Sequence, residues 1–204
     1  MCPSTVEALD SKDMISDQPR AGIRNRLLGK LTQGDWAILA PHLEAVSIRE
    51  RQVIEVPHKP IAHAYFLEIG VASVVAVDNA DHRIEVGVIG YEGVTGVSLI
   101  MGDNRAQHST YMQTPGSGHR IGAEKLCAAI ATSESLRALM LKSAQGFMIQ
   151  TAQTALANGR AKQEERLARW LLMAHDRMTS DVFSQATVRA FWAPTTHSML
   201  ACRG

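Results

Sequence analysis

The spacing of apolar residues changes twice along this chain, and each change marks a new kind of structure. Ile23, Leu27, Leu28 and Leu31, then Trp36, Leu39 and Leu43, recur at helical intervals and predict two short helices. Thr32 followed by Asp35 resembles a capping box with Asp in place of Glu, so the second helix is expected to start at Thr32. At Glu44 the period becomes two. Val46, Ile48, Val53, Ile54 and Val56 alternate with Ser, Arg and Glu until Pro57 and Pro60 end the run. Residues 64–69 and 71–77 predict a hairpin with Gly70 at its turn. Residues 78–81 form a polar turn, and 82–89 predict the next strand. A glycine-rich centre follows. Then come a strand over 108–114, a turn over 115–118 and a strand over 119–121. About seven or eight short strands separated by turn signals suit a jelly roll or small antiparallel barrel and exclude βαβ units.

The second change comes at Ala123, where helical spacing returns. Residues 123–131 predict one helix, and Ser133 with Glu134 marks a fresh start. Leu136, Leu139, Met140, Ser143, Phe147, Met148, Thr151, Ala155 and Leu156 then fall three and four apart, with Ala144, Gly146 and Ala152 between them. A helix lying on a barrel needs one apolar stripe; a second stripe calls for a partner helix or for burial within one chain. Asn158-Gly159 is read as an interruption, a C-cap or hinge. Helical spacing resumes over 162–178 through Leu167, Trp170, Leu171, Leu172 and Ala174. Arg160, Lys162, Arg166, Arg169 and Arg177 make this segment basic, but Glu164, Glu165 and Asp176 dilute it toward an ordinary solvated face. The fold class is therefore α+β: N-terminal helices, an antiparallel jelly roll, a long helix and a short helical remnant.

Composition narrows the function. The 204 residues are 46% hydrophobic and 20% charged, with a formal net charge of +1. Nothing global draws such a chain to DNA or a membrane. No apolar run approaches the roughly 18 residues of a membrane span. Residues 1–20 lack a signal-peptide pattern, contain Pro3 and Pro19, and predict a flexible leader on a cytoplasmic protein. Cys2, Cys127 and Cys202 are scattered, with no metal-ligand spacing. His58 and His63 are five apart with Pro60 between them, and His82, His108 and His119 are isolated on separate expected strands. Convergence of such histidines would give a metal-dependent, cupin-type barrel enzyme, the least favoured reading. Catalytic motifs are missing, and Ser98 and Ser109 read as structural or pocket-lining hydroxyls, so no enzyme, metal or cofactor is expected.

The stretch 85–113, EVGVIGYEGVTGVSLIMGDNRAQHSTYMQ, organises the rest. Gly90, Gly93, Gly96 and Gly102 suit a turn-rich segment whose backbone amides approach a small ligand. With the hairpin YFLEIGVASVVAV before it and RLARWLLMAHDRM after the long helix, the chain over about residues 23–183 resembles the Crp/Fnr family of bacterial transcription regulators. That resemblance implies a cyclic-nucleotide-binding-like sensor over 21–132, a dimerisation helix and hinge over 133–159, and the start of a winged helix over 160–183. It implies an effector pocket at Glu92, Gly93, Thr95, Gly96, Val97, His108, Ser109 and Thr110. It also implies a homodimer interface at Leu136, Leu139, Met140, Ser143, Phe147, Met148, Thr151 and Ala155, with Asn158 and Gly159 as the hinge.

Two departures qualify the resemblance. The family's ribose-holding Glu position is occupied by Gly96 or Val97, and its phosphate-neutralising Arg by His108, ahead of Ser109 and Thr110. A largely neutral His is a poor substitute for a guanidinium, so tight binding of cyclic AMP or GMP is not expected, and Glu92 and Arg105 are badly spaced to compensate. Beyond Phe183 the sequence SQATVRAFWAPTTHSMLACRG shows no helix-turn-helix pattern, which reads as truncation or a frameshift with DNA binding impaired. The alternative is a stand-alone ligand-sensing module acting on a protein partner.

Overall fold

The computed structural model describes residues 22–80 and 82–178. The predicted leader with Ala21, all of residues 179–204 with the proposed break at Phe183, and Asp81 lie outside the described residues. Two short helices open the structure, α1 (Arg26–Gly29) and α2 (Gln33–Leu39), the latter running into a 3-10 turn over Ala40–His42. The capping box is present. Asp35 N–H donates to Thr32 Oγ1 at 3.1 Å, and the Asp35 carboxylate accepts from Thr32 N–H at 3.3 Å. The same carboxylate accepts from Ser133 Oγ and Ser135 Oγ, which ties α2 to the start of the long helix. Burial opposes ionisation of Asp35, but these hydroxyls outweigh it and hold the carboxyl below its ordinary range.

Among the described residues seven antiparallel strands form two sheets. One has the order β1 (Glu44–Ile48), β7 (Gly116–Gly122), β3 (His63–Ile69); the other β2 (Val53–Glu55), β6 (Ser109–Met112), β4 (Ala72–Val77), β5 (Arg83–Ile89). Ile48 and Leu67 from the first sheet meet Ala72, Val74, Ile89 and Met112 from the second, and this contact is the core of the jelly roll. Gly70 takes a left-handed φ of +94° between β3 and β4, as the hairpin requires.

Residues 116–118 do not form the expected turn; they belong to β7. Here the glycines answer to crowding. A Cβ on Gly116 would lie 2.0 Å from the Ile69 carbonyl oxygen, and one on Gly118 would lie 2.3 Å from the Phe66 carbonyl oxygen. Local composition reads as a turn, but what selects glycine is the close passage of β3, which is remote in sequence.

α4 (Ala123–Thr132) is followed by α5 (Glu134–Arg160), capped as predicted by Ser133, whose Oγ accepts from Leu136 N–H at 3.2 Å. A second core joins the N-terminal helices, the barrel end, α4 and the first half of α5 through Leu28, Leu39, Phe66, Leu126, Leu136 and Met140. Two expectations about α5 are corrected. Its backbone runs through Asn158 and Gly159 without interruption and turns extended only at Ala161, so the break before α6 (Gln163–His175) falls later than the predicted hinge. Leu136 and Met140, expected at a dimer interface, have no exposed surface and face the chain's own core.

Candidate functional site

A cavity of about 600 Å³ opens between the jelly roll and α5. Its barrel wall is built at the glycine-rich segment. Gly96 has φ +75°, a conformation that disfavours any side chain, and so turns the chain into the single-turn helix α3 (Val97–Ile100). Val97, Ser98 and Met101 thereby reach the cavity, and β6 adds Thr110 with His108 just ahead of it. Val74 of β4 and Ile89 of β5 form the apolar floor.

The opposite wall is α5, which contributes Phe147, Met148, Thr151, Ala152 and Ala155. Gly87 makes this seat possible, since a Cβ there would come within 2.8 Å of the Phe147 ring. Gln150 stitches the helix to β5 by accepting from Val88 N–H at 2.6 Å. Of the stripe predicted to meet a second subunit, Phe147, Met148, Thr151 and Ala155 line this cavity, Met148 and Ala155 remaining exposed, and Ser143 lines a neighbouring cleft. Helical spacing reports that a stripe is apolar but carries no information about which surface covers it.

The chemically decisive group is Glu55. A bulge between Val53 and Glu55 shifts the register of β2 against β6. The usual alternation is reversed: Val53 is 56% exposed, and the Glu55 carboxylate points into the cavity wall. Its Oε1 accepts from Gly96 N–H at 2.6 Å and its Oε2 from Thr110 Oγ1 at 2.9 Å. Burial raises its pKa above the ordinary range, against the opposing pull of the Thr110 and Gly96 hydrogen bonds. Burial lowers the pKa of His108 and so favours its neutral ring, while both donors at Glu55 point at a carboxylate. Asp103 at the rim accepts from Arg105 N–H and Gln107 Nε2. Among the described residues no lysine or arginine lines the cavity. Arg105 turns away instead and donates to the His58 carbonyl at 2.8 Å.

Of the residues the resemblance assigned to the pocket, Gly96, Val97, His108 and Thr110 are brought together. Thr95 is fully buried as a structural bridge whose Oγ1 accepts from Tyr65 N–H at 3.0 Å. Ser109 is not among the lining residues. Glu92 and Gly93 line a neighbouring cleft of about 240 Å³, which Arg177 also lines and which shares Ile89, Val97 and Phe147 with the cavity. There Arg177 Nε donates to Glu92 Oε1 at 2.6 Å, and a Cβ on Gly90 would fall 2.7 Å from Arg177 Cγ. Sequence reading missed Glu55, Val74, Ile89 and Met101, because only the bulge and the closing of the barrel direct them to one place. The histidines do not converge: among the described residues no group of three His, Cys, Asp or Glu is placed to hold a metal ion. No helix among the described residues is long and apolar enough to cross a membrane.

No family model matches the chain, and no curated protein matches it in sequence. Solved structures do match in shape. One is the FixK2 structure from Bradyrhizobium japonicum, with a TM-score of 0.61 and 14% identity over 78% of this chain and 83% of that one. Another, assigned to the Crp/Fnr family of transcriptional regulators, comes from Eubacterium rectale, with a TM-score of 0.65 and 10% identity over 86% and 87% of the two chains. The fold is that of Crp/Fnr-type regulators. A further neighbour with this fold is the c-di-GMP-responsive global regulator CLP of Xanthomonas campestris, with a TM-score of 0.55 and 19% identity over 76% of each chain. In the Crp/Fnr-type fold as built here, the cavity lies where the glycine-rich segment of the sensor meets the long helix.

Proposed function

We propose that this protein is a cytoplasmic, effector-sensing transcriptional regulator of the Crp/Fnr type that works as a homodimer through α5. One observation carries the reading: the cavity is walled by the barrel on one side and by α5 on the other, so an occupant touches both. A ligand seated against Phe147, Met148 and Thr151 would favour one placement of α5 over another. α6 would respond as well, because Arg169 of α6 donates to Thr154 Oγ1 of α5 at 3.2 Å, while Arg177, just past α6, ties it to Glu92 of the barrel side. That is a shift between two populated arrangements, driven by differential affinity.

The homodimer reading rests on the face of α5 turned away from the barrel. Leu141, Ile149 and Leu156 are 45%, 58% and 55% exposed, and their spacings of eight and fifteen place them on one face. Sedimentation of the unmodified chain at micromolar concentration is expected to give a dimer, and the double variant Leu141→Glu, Ile149→Glu a monomer. A monomer for the unmodified chain would sink the homodimeric reading and favour a module that docks on another protein.

For DNA, the sequence after Phe183 offers Arg189 and Arg203 as its only Lys or Arg residues. Electrostatic contact with phosphates dominates such binding, so the 204-residue polypeptide is expected to give no sequence-specific mobility shift. A specific shift would overturn this part and leave the sensor reading standing.

A further inference from the structure

The pocket's own carboxylate says what kind of effector it accepts. The segment that should hold an anion in a nucleotide sensor offers two donors here, Gly96 N–H and the Thr110 hydroxyl, and both already point at Glu55. Thr110 belongs to the His-Ser-Thr run, where the family resemblance would seat a cyclic phosphate. An incoming phosphate, sulfonate or carboxylate would have to displace Glu55 from both donors. It would then sit beside the displaced carboxylate, with Asp103 at the rim as a second negative group. Among the described residues no lining side chain carries a fixed positive charge to offset that cost.

The rest of the wall is apolar. Val74, Ile89, Val97, Met101, Phe147 and Met148 surround a space whose size is typical of small-molecule sites. Two of the six are methionines, which adapt to irregular apolar shapes. Glu55 keeps acceptor capacity beyond its two bonds, since a carboxyl group has about four lone-pair positions.

We infer that the effector is an uncharged, largely apolar small molecule that directs a hydrogen-bond donor toward Glu55, and that anionic nucleotides are rejected by that same residue. The inference rests on the sensor reading above but is tested apart from it. The protein's preference is read with two dyes of one skeleton, N-phenylnaphthylamine, which is neutral and carries an N–H donor, and its sulfonated form, anilinonaphthalene sulfonate.

In fluorescence titrations of the full chain the neutral dye is expected to bind at least ~10-fold more tightly than the sulfonate, because the sulfonate must approach a carboxylate in a poorly solvated site. Glu55→Gln removes the charge and keeps the shape and one acceptor oxygen. It should strengthen sulfonate binding by about fivefold and make the neutral dye no tighter, since its N–H then meets a weaker, uncharged acceptor. Ser98→Trp, which fills the cavity from α3 and away from the exposed face of α5, should abolish binding of the neutral dye. Far-UV circular dichroism and a thermal melt check that both variants remain folded. Equal or tighter binding of the sulfonate, sulfonate affinity indifferent to Glu55→Gln, or displacement of the neutral dye by micromolar cyclic AMP, cyclic GMP or c-di-GMP each overturns the inference. Neutral-dye binding that survives Ser98→Trp overturns it too, since the dye would then be elsewhere. None of these outcomes depends on whether the chain is a dimer, which is the test of the sensor-regulator reading.

Discussion

Gly116→Val should be among the most damaging single substitutions in this protein, lowering its stability by roughly 4 kcal/mol. The reason is steric and backbone-to-backbone. The new Cβ would lie 2.0 Å from the Ile69 carbonyl oxygen and 2.8 Å from its carbon, and neither can swing aside as a side-chain tip could. Relief requires β7 to part from β3 near the Gly70 turn, where Pro115 O is itself 2.9 Å from a Cβ built on Gly70. β7 is the central strand of its sheet, so β1 is disturbed as well. For a chain of this size that loss corresponds to about 10 °C in Tm, measurable by thermal denaturation. Gly146→Ala is the counter-case. It lies within α5 with nothing inside 4 Å of a built Cβ, and helix propensity alone predicts a gain of about 0.5–1 kcal/mol. Equal effects from the two glycines would refute the steric account.

Replacing Glu85 with Gln should make the protein's stability less sensitive to pH between about 4.5 and 7 and raise it above that range. Glu85 sits where β4 and β5 meet α6. Burial pushes its pKa from 4.5 up to about 7, against the opposing effects of hydrogen bonds from Ser73 and Trp170 and the charge of Arg169. Ser73 Oγ lies 2.6 Å from Glu85 Oε2 and 3.1 Å from Gln113 Oε1, and its single proton cannot serve both acceptors. A protonated Glu85 resolves this by donating to Ser73, which donates onward to Gln113.

Below the ordinary carboxylate pKa, folded and unfolded chains both hold the proton and the group contributes no cost. Between 4.5 and about 7 the folded chain keeps a proton that the unfolded chain has released, so stability falls as pH rises. Above about 7 both forms are ionised, and the whole cost of a charge under α6 is present. Each pH unit between the two values corresponds to about 1.36 kcal/mol. Solvent screens a side chain that is only half-buried, so about 2 kcal/mol is the expected total. In urea unfolding, Glu85→Gln should match the parent within about 0.5 kcal/mol near pH 4 and exceed it by about 2 kcal/mol near pH 8. A difference that does not change with pH would rule out Glu85 as the titrating group. Because Trp170 belongs to α6, the same titration is a candidate influence on how firmly that helix is held.

Signals that depend on neighbours a few residues apart were legible in the sequence. The Thr32–Asp35 box, the Ser133 cap and the Gly70 turn all formed as their local chemistry requires. The two periods, near 3.6 and 2, separated helices from strands, and the order of elements carried the resemblance to Crp/Fnr regulators. Half of the pocket residues that resemblance named, Gly96, Val97, His108 and Thr110, do meet in one cavity.

What needed the tertiary structure was every decision about facing. Glu55 stands in a run that reads as an outward-facing polar position, and a bulge against β6 turns it inward onto Gly96 and Thr110. The apolar stripes of α5 were visible as spacing. Whether a stripe meets the core, the cavity or solvent is set by how the helix seats on Gly87, which lies 60 residues before Phe147 in the chain. Gly116 and Gly118 look like a turn until β3 is placed beside them. The sequence by itself determined the elements, their order and the class of fold, since those follow from local chemistry and periodicity. Only the packed structure decided that the glycine-rich segment closes around the protein's own carboxylate, because that contact joins residues 41 and 55 positions apart whose meeting no local pattern encodes.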